Sequence, residues 1–238
     1  MQPVQHVVPQ AARPPEKRRL SEAIARVVHK GRYVLWAVLI AGAVVLVGYL
    51  VWTEVSKRRL VDSTLLAESA AGLFDAWSGE QDAAGKATIE KDLVDRLDRL
   101  IARYPRQYGG QRGLLLRADL RFQTGAWDLA RSDYEDLARR FPASYLAAIS
   151  LFNAGVCAEE KGDGDAAQGL YMKVAEKYKE SAAAPRALFD AGRLDEQKGA
   201  WDDARQKYER LETDYMTSTW TKLAKNRIIA LKVEGKLK

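Results

Sequence analysis

Six sets of residues in this chain recur at a single step of 37. Gly125, Gly162 and Gly199 hold it, as do Ala130, Ala167 and Ala204, and Tyr134, Tyr171 and Tyr208. Leu100, Leu137, Val174 and Leu211 keep the same spacing, and so do Tyr104, Phe141, Tyr178 and Tyr215, and Ser144, Ser181 and Ser218. A period of this size marks one supersecondary unit stacked on copies of itself. Each register has a physical reason. The glycine separates two helical stretches, where the chain reverses and a left-handed residue costs least. The alanine lets two helices approach closely. The tyrosine and the leucine or valine fall three residues apart on one helical face and bury together. The serine stands where a helix N-cap is expected.

The pattern resembles tetratricopeptide repeats. Residues 148–178 carry it at Leu151, Ala154, Gly155, Gly162, Ala167, Tyr171 and Val174, and residues 185–215 at Leu188, Ala191, Gly192, Gly199, Ala204, Tyr208 and Leu211. Residues 111–142 match at Gly125, Ala130, Tyr134, Leu137 and Pro142, with Arg117 in place of a small residue and Ala118 in place of glycine. The resemblance spans roughly residues 60–235. It implies an all-α protein: a short helical solenoid of about three and a half helix pairs plus a C-terminal capping helix. The period departs from the common repeat of about 34 residues. With the FPAS junction at 141–144, it is similar to a bacterial envelope subset. That subset includes lipoproteins of outer-membrane β-barrel assembly, Tol–Pal-associated coordinators and inner-membrane proteins that accompany the Sec translocon. The implied partners are envelope or exported proteins, held by a scaffold or handled transiently by a translocon-associated periplasmic chaperone.

In the family it resembles, the first helices of successive repeats line a concave groove. Carried over, the groove positions are Arg112, Leu115, Asp119 and Phe122, then Ile149, Phe152, Val156 and Glu159, then Arg186, Phe189, Arg193 and Glu196. Their mixture of aromatic and charged groups suits an extended peptide or a partner helix. Packing between helices is the competing role for Leu115, Phe152 and Phe189, one repeat apart.

Residues 33–52, YVLWAVLIAGAVVLVGYLVW, hold no charge and no proline. A helix of this length, at about 1.5 Å per residue, matches the hydrocarbon thickness of a bilayer. Tyr33, Trp36, Tyr49 and Trp52 bracket it at headgroup level. The apolar run is longer than that of a cleaved signal peptide and follows a long leader, which favours a retained anchor. The leader carries Arg13, Lys17, Arg18, Arg19, Arg26, Lys30 and Arg32, against Lys57, Arg58 and Arg59 on the other flank. That asymmetry places the N-terminus in the cytoplasm and the large domain in the periplasm or an equivalent exterior, hung from the inner membrane. Residues 16–31 read as a basic amphipathic helix able to lie on anionic lipid, or as a plain orientation signal. Within the anchor, Ala37 and Ala41 form a weak small-residue pair.

The net charge of +6 misleads as a guide to partners. Residues 53–218 hold 25 basic and 29 acidic residues, so the repeats offer no basic face in bulk for nucleic acid. Both histidines, His6 and His29, lie in the leader, which argues against a histidine-based triad or zinc site in the folded part. The single cysteine, Cys157, can form no internal disulfide and falls at a position held elsewhere by Leu120 and Leu194. GDGD at 162–165 lacks the further ligands of a calcium loop and sits at a repeat turn. Neither an enzyme nor a cofactor is indicated.

The expected organisation is a disordered basic tail with a possible amphipathic helix (1–32), the transmembrane anchor (33–52), a linker helix and degenerate first repeat (53–110), three repeats (111–218) and a basic capping helix (219–238), for which a basic docking surface for an acidic partner or anionic lipid is the competing role. A helix is expected over roughly 54–77, with Leu66, Ala70, Phe74 and Trp77 on one face. A break over 78–86 separates it from a second helix marked by Ile89, Leu93, Leu97 and Leu100.

Overall fold

The structure, a computed structural model, describes the backbone of residues 15–238 and the side chains of residues 29–34 and 36–238. The expectations for residues 1–14, and for the side chains of the leader up to residue 28, lie outside the described residues. The described chain is helical: α1 (Pro15–Gly79), α2 (Ala83–Arg103), α3 (Tyr108–Gln123), α4 (Trp127–Arg140), α5 (Tyr145–Glu160), α6 (Gly164–Lys177), α7 (Ala184–Gln197), α8 (Trp201–Asp214) and α9 (Thr219–Val233). It divides into two units between Lys57 and Arg58. In the first, α1 is long and apolar enough to cross a membrane, with a mean hydropathy of 2.6 in its most apolar window. Every described side chain from residue 33 to 52 is exposed.

The second unit is a helical solenoid in which α2 to α9 each pack against their neighbours in sequence. The turns follow the repeat. Gly125, Gly162 and Gly199 all have positive φ, between 75° and 78°. The next N–H in each case reaches back five residues, from Ala126 to Arg121 O, Asp163 to Ala158 O, and Ala200 to Asp195 O. Only a left-handed residue closes that ring at the helix end. Ser144 and Ser218 are the N-caps of α5 and α9, each accepting a backbone N–H two residues on at 3.1 to 3.2 Å; Ser181 accepts the Ala183 N–H in the same way at 3.2 Å, but α7 starts later, with Ala183 as its N-cap. The GDGD segment is a turn, with Asp163 capping α6 through the Ala166 N–H. The basic terminal helix α9 also ends like a first helix, at Gly235 with φ 72° and a Lys236 N–H to Leu231 O bond.

Within a repeat the two helices are locked by a ring set on a glycine. A Cβ added to Gly155 would lie 2.5 Å from Tyr171 Cε1, and one added to Gly192 would lie 2.8 Å from Tyr208 Cε1. The first repeat has Ala118 at this register, and its tyrosine, Tyr134, bonds to a carboxylate one turn earlier than the other two do. Cys157 is fully buried among these contacts and its thiol is pushed up to about 12 by that burial, so it is a small core residue.

The repeats also solve one buried contact in three ways. Arg121 of α3 donates to Asp133 of α4 at 2.6 Å, joined by Arg117, which forks onto the same carboxylate. One repeat later the same two positions are Ala158 and Leu170, both buried. One further on they are Asp195 and Lys207, an ion pair with the charges exchanged. Arg117, a departure in the sequence pattern, is thus the second arm of a buried ion cluster.

Two expectations for the first helix pair change in detail. Leu66 is largely exposed, and the packed face of α1 runs through Ser63, Ala67, Ala70, Phe74 and Trp77. The cause is Gly109, where an added Cβ would stand 2.1 Å from the Ser63 carbonyl oxygen. So close a crossing admits only small residues on the facing side. The break before α2 is also shorter than expected, because Gly85 lies inside the first turn, its N–H bound to Asp82 Oδ2 at 2.7 Å.

Gly155→Ala and Gly192→Ala should each destabilise the protein by about 1–3 kcal/mol, since the ring has no room to retreat. Gly169→Ala, on an open helical face, should be neutral or stabilise by about 0.5–1 kcal/mol; urea unfolding followed by circular dichroism measures both. Lys207→Leu alone should cost about 3 kcal/mol by leaving buried Asp195 without its cation and bonded only to the Gln168 amide, while Lys207→Leu with Asp195→Ala, the pair used one repeat earlier, should recover most of that loss.

Candidate functional site

The twelve expected groove residues occupy the first helices α3, α5 and α7. Two of them are core: Leu115 is 8% exposed and Phe152 only 2%. Phe122 is half-buried, its ring edge-on to Trp127 with centroids 4.8 Å apart. Ile149 is exposed, and Arg112 and Val156 are half-buried. Of the remaining members, Asp119 is bonded within its own repeat, and Glu159, Arg186, Phe189, Arg193 and Glu196 make contacts that cross from one repeat to the next.

Each repeat tyrosine donates its hydroxyl to a carboxylate on the first helix: Tyr134 to Asp119 at 2.5 Å, Tyr171 to Glu159 at 3.1 Å and Tyr208 to Glu196 at 2.6 Å. Burial and the adjacent carboxylates push all three phenols far above their ordinary range, so they remain donors. Two of these carboxylates, Glu159 and Glu196, are then held from the following repeat. Arg193 donates to Glu159 at 2.7 Å and to Asp190 at 3.3 Å. Arg227 of α9 donates to Glu196 through Nε at 3.1 Å. Burial raises Asp119, against the Tyr134 hydroxyl and the Arg112 charge; burial likewise raises Asp190, against Arg193 and Arg186. At Glu196 burial also pushes upward, but the bonds from Arg227 and Tyr208 prevail and hold the carboxyl below its usual value.

An aromatic group lies beside this ladder. The Arg186 guanidinium stands over the Phe152 ring at 4.6 Å and near Trp220 at 5.4 Å. Phe189 packs between Tyr208 and Trp220, with centroids 5.4 and 5.3 Å away. The row of first helices therefore alternates fixed cations, fixed anions and apolar rings, an arrangement suited to holding an extended segment or helix in one register.

Reading the sequence missed α9 as a member of this row. Adding the 37-residue step to Arg186, Phe189, Arg193 and Glu196 gives Leu223, Asn226, Ala230 and Val233. Leu223, Asn226 and Val233 are exposed. Reading the terminal segment as a cap or a basic docking surface, and not as a further first helix, concealed them, and with them Trp220.

The stability contributed by Glu196 is present above its unfolded pKa, about 4.3, and is lost as pH falls through the depressed folded value. Urea unfolding between about pH 3 and pH 6 should show Glu196→Gln losing less stability on acidification than the unmodified chain.

A family model described as a tetratricopeptide repeat-like domain matches residues 29–234. A search of the curated proteins finds no match. With its 37-residue helix pairs, left-handed glycine turns and a match over most of its length, the chain belongs to the tetratricopeptide repeat-like domain family.

Proposed function

We propose that this protein is a membrane-anchored scaffold that binds envelope or exported proteins through the groove formed by its first helices. Its domain is of a kind that serves protein–protein interaction. The reading rests above all on the row of fixed charges and rings across α3, α5, α7 and α9. Arg186 is central to it: exposed, and held over Phe152 and beside Trp220, it presents a stacked guanidinium to a partner. A partner segment offering a carboxylate and an aliphatic side chain on one face meets Arg186 and the exposed Ile149 and Leu223 together.

Anchoring rests on the exposed apolar stretch 33–52, which in water would leave a large apolar surface uncovered. The excess of basic residues in the leader supports a cytoplasmic N-terminus with the repeats outside the inner membrane. On this reading the anchor keeps the groove close to the bilayer, which raises the effective concentration of partners that share it. No cofactor, metal or nucleic acid enters the mechanism.

Photo-crosslinking in living cells tests the proposal, with a photoreactive residue at Ile149 or Leu223 and a buried control at Phe152. One discrete envelope protein captured from both exposed sites, and none from the control, is the expected result. A broad set of exported chains would favour the transient chaperone. Capture of cytoplasmic proteins alone would overturn the orientation, and equal capture from Phe152 would remove the groove assignment.

A further inference from the structure

The two ends of the solenoid carry opposite charge. From Leu60 to Gly85 the chain holds Asp62, Glu68, Asp75, Glu80 and Asp82 and no lysine or arginine. Helix α9 holds Lys222, Lys225, Arg227 and Lys232 and no acid. These are the first and last segments of the second unit: α1 beyond Arg58 packs with α2 and α3, while α9 packs on α7 and α8.

The lysines of α9 stand at positions that are core elsewhere. In α5 the register is Ala148, Leu151, Gly155 and Ala158; in α7 it is Pro185, Leu188, Gly192 and Asp195; all eight are buried. In α9 it becomes Lys222, Lys225, Ile229 and Lys232, all exposed. Ile229 fills the position where Gly155 and Gly192 receive a tyrosine ring, so α9 is not shaped to take another second helix of the same kind. Solvation of a solenoid end needs only polar residues of either sign. This face is instead uniformly cationic, with Ile229 60% and Val233 83% exposed between the lysines.

Helix α1 offers the counterpart. Opposite its packed face of Ser63, Ala67, Ala70 and Trp77, it exposes Val61 at 56% and Leu65 at 65% beside Asp62, Glu68 and Asp75. Among the described residues Asp62, Glu68, Asp75, Lys222 and Lys232 have no ion-pair partner, and Lys225 reaches only Glu212, at 3.4 Å. Aliphatic pairs four residues apart on both helices, flanked by opposite charges, make the two faces complementary in shape class and in sign.

We propose that α9 of one copy docks on the acidic–aliphatic face of α1 in a second copy, head to tail. Such a contact is heterologous: an open assembly always keeps one unused end of each kind, α1 on one terminal copy and α9 on the other, so association continues into chains or closes into a ring.

The test uses the full-length protein in mild detergent, with mass measured by sedimentation across concentration. The expected result is association that weakens as salt rises. Lys222→Glu/Lys225→Glu/Lys232→Glu in one variant, and Asp62→Lys/Glu68→Lys/Asp75→Lys in another, should each weaken it by about tenfold or more. Mixing the two should restore it, because each altered end then meets an altered end of opposite sign. All six positions are exposed, and circular dichroism checks that the variants stay folded. A Leu65→Cys copy mixed with an Ile229→Cys copy should form a mixed disulfide, the native Cys157 being buried. A monomer at every concentration would overturn the proposal, as would failure of the mixture to associate or crosslinking of Leu65→Cys copies only to each other.

Discussion

The seating of a tyrosine ring on a helix without a side chain is the contact from which the rest of the solenoid follows. Gly155 and Gly192 remove the Cβ that would strike Tyr171 and Tyr208. The second helix can then lie close enough to the first for its tyrosine hydroxyl to reach a carboxylate on the first helix's outer turn. That bond fixes the carboxylate, and the fixed carboxylate orients an arginine from the following repeat. One close approach therefore sets both the internal angle of a helix pair and the position of charges that join one pair to the next. Repeat proteins are stabilised by their own units and by nearest-neighbour interfaces, and here one chain of bonds serves both.

The three-way solution at Arg121–Asp133, Ala158–Leu170 and Asp195–Lys207 shows how little the fold demands of side-chain identity once geometry is met. A buried ion pair is tolerated in either polarity because each charge is matched, and an apolar pair fills the same space without desolvating a charge. One member of such a pair alone would leave a buried charge without its counter-ion. The same rule explains why Arg117, conspicuous beside the small residues of its register, causes no disruption: Asp133 and Asp98 receive it.

Much of this architecture was legible in advance. The glycine, alanine, tyrosine and serine registers each describe contacts within a helix or across one short turn, and such contacts depend on local sequence. Leu93, Leu97 and Leu100 were readable as a packed face for the same reason. The candidate groove was legible only as a set of positions. Leu115 and Phe152 proved to be core, because exposure at those registers depends on the neighbouring helix: Arg186 lies across Phe152 from the next repeat. Leu66 was misplaced because Gly109, more than forty residues away, determines which side of α1 must be small.

The sequence by itself determined the helix-pair period, the points where the chain reverses, the apolar stretch long enough to cross a bilayer and the opposite charges of the two ends. All of these are properties of spacing and composition along one strand of chain. Only the tertiary structure decided which members of the first-helix row are bonded across repeats, which are buried, and that α9 completes the row while presenting lysines where its counterparts present core. Those outcomes depend on distances between residues about thirty or more positions apart, such as Glu159 to Arg193 and Glu196 to Arg227, and such distances exist only once the helices have stacked.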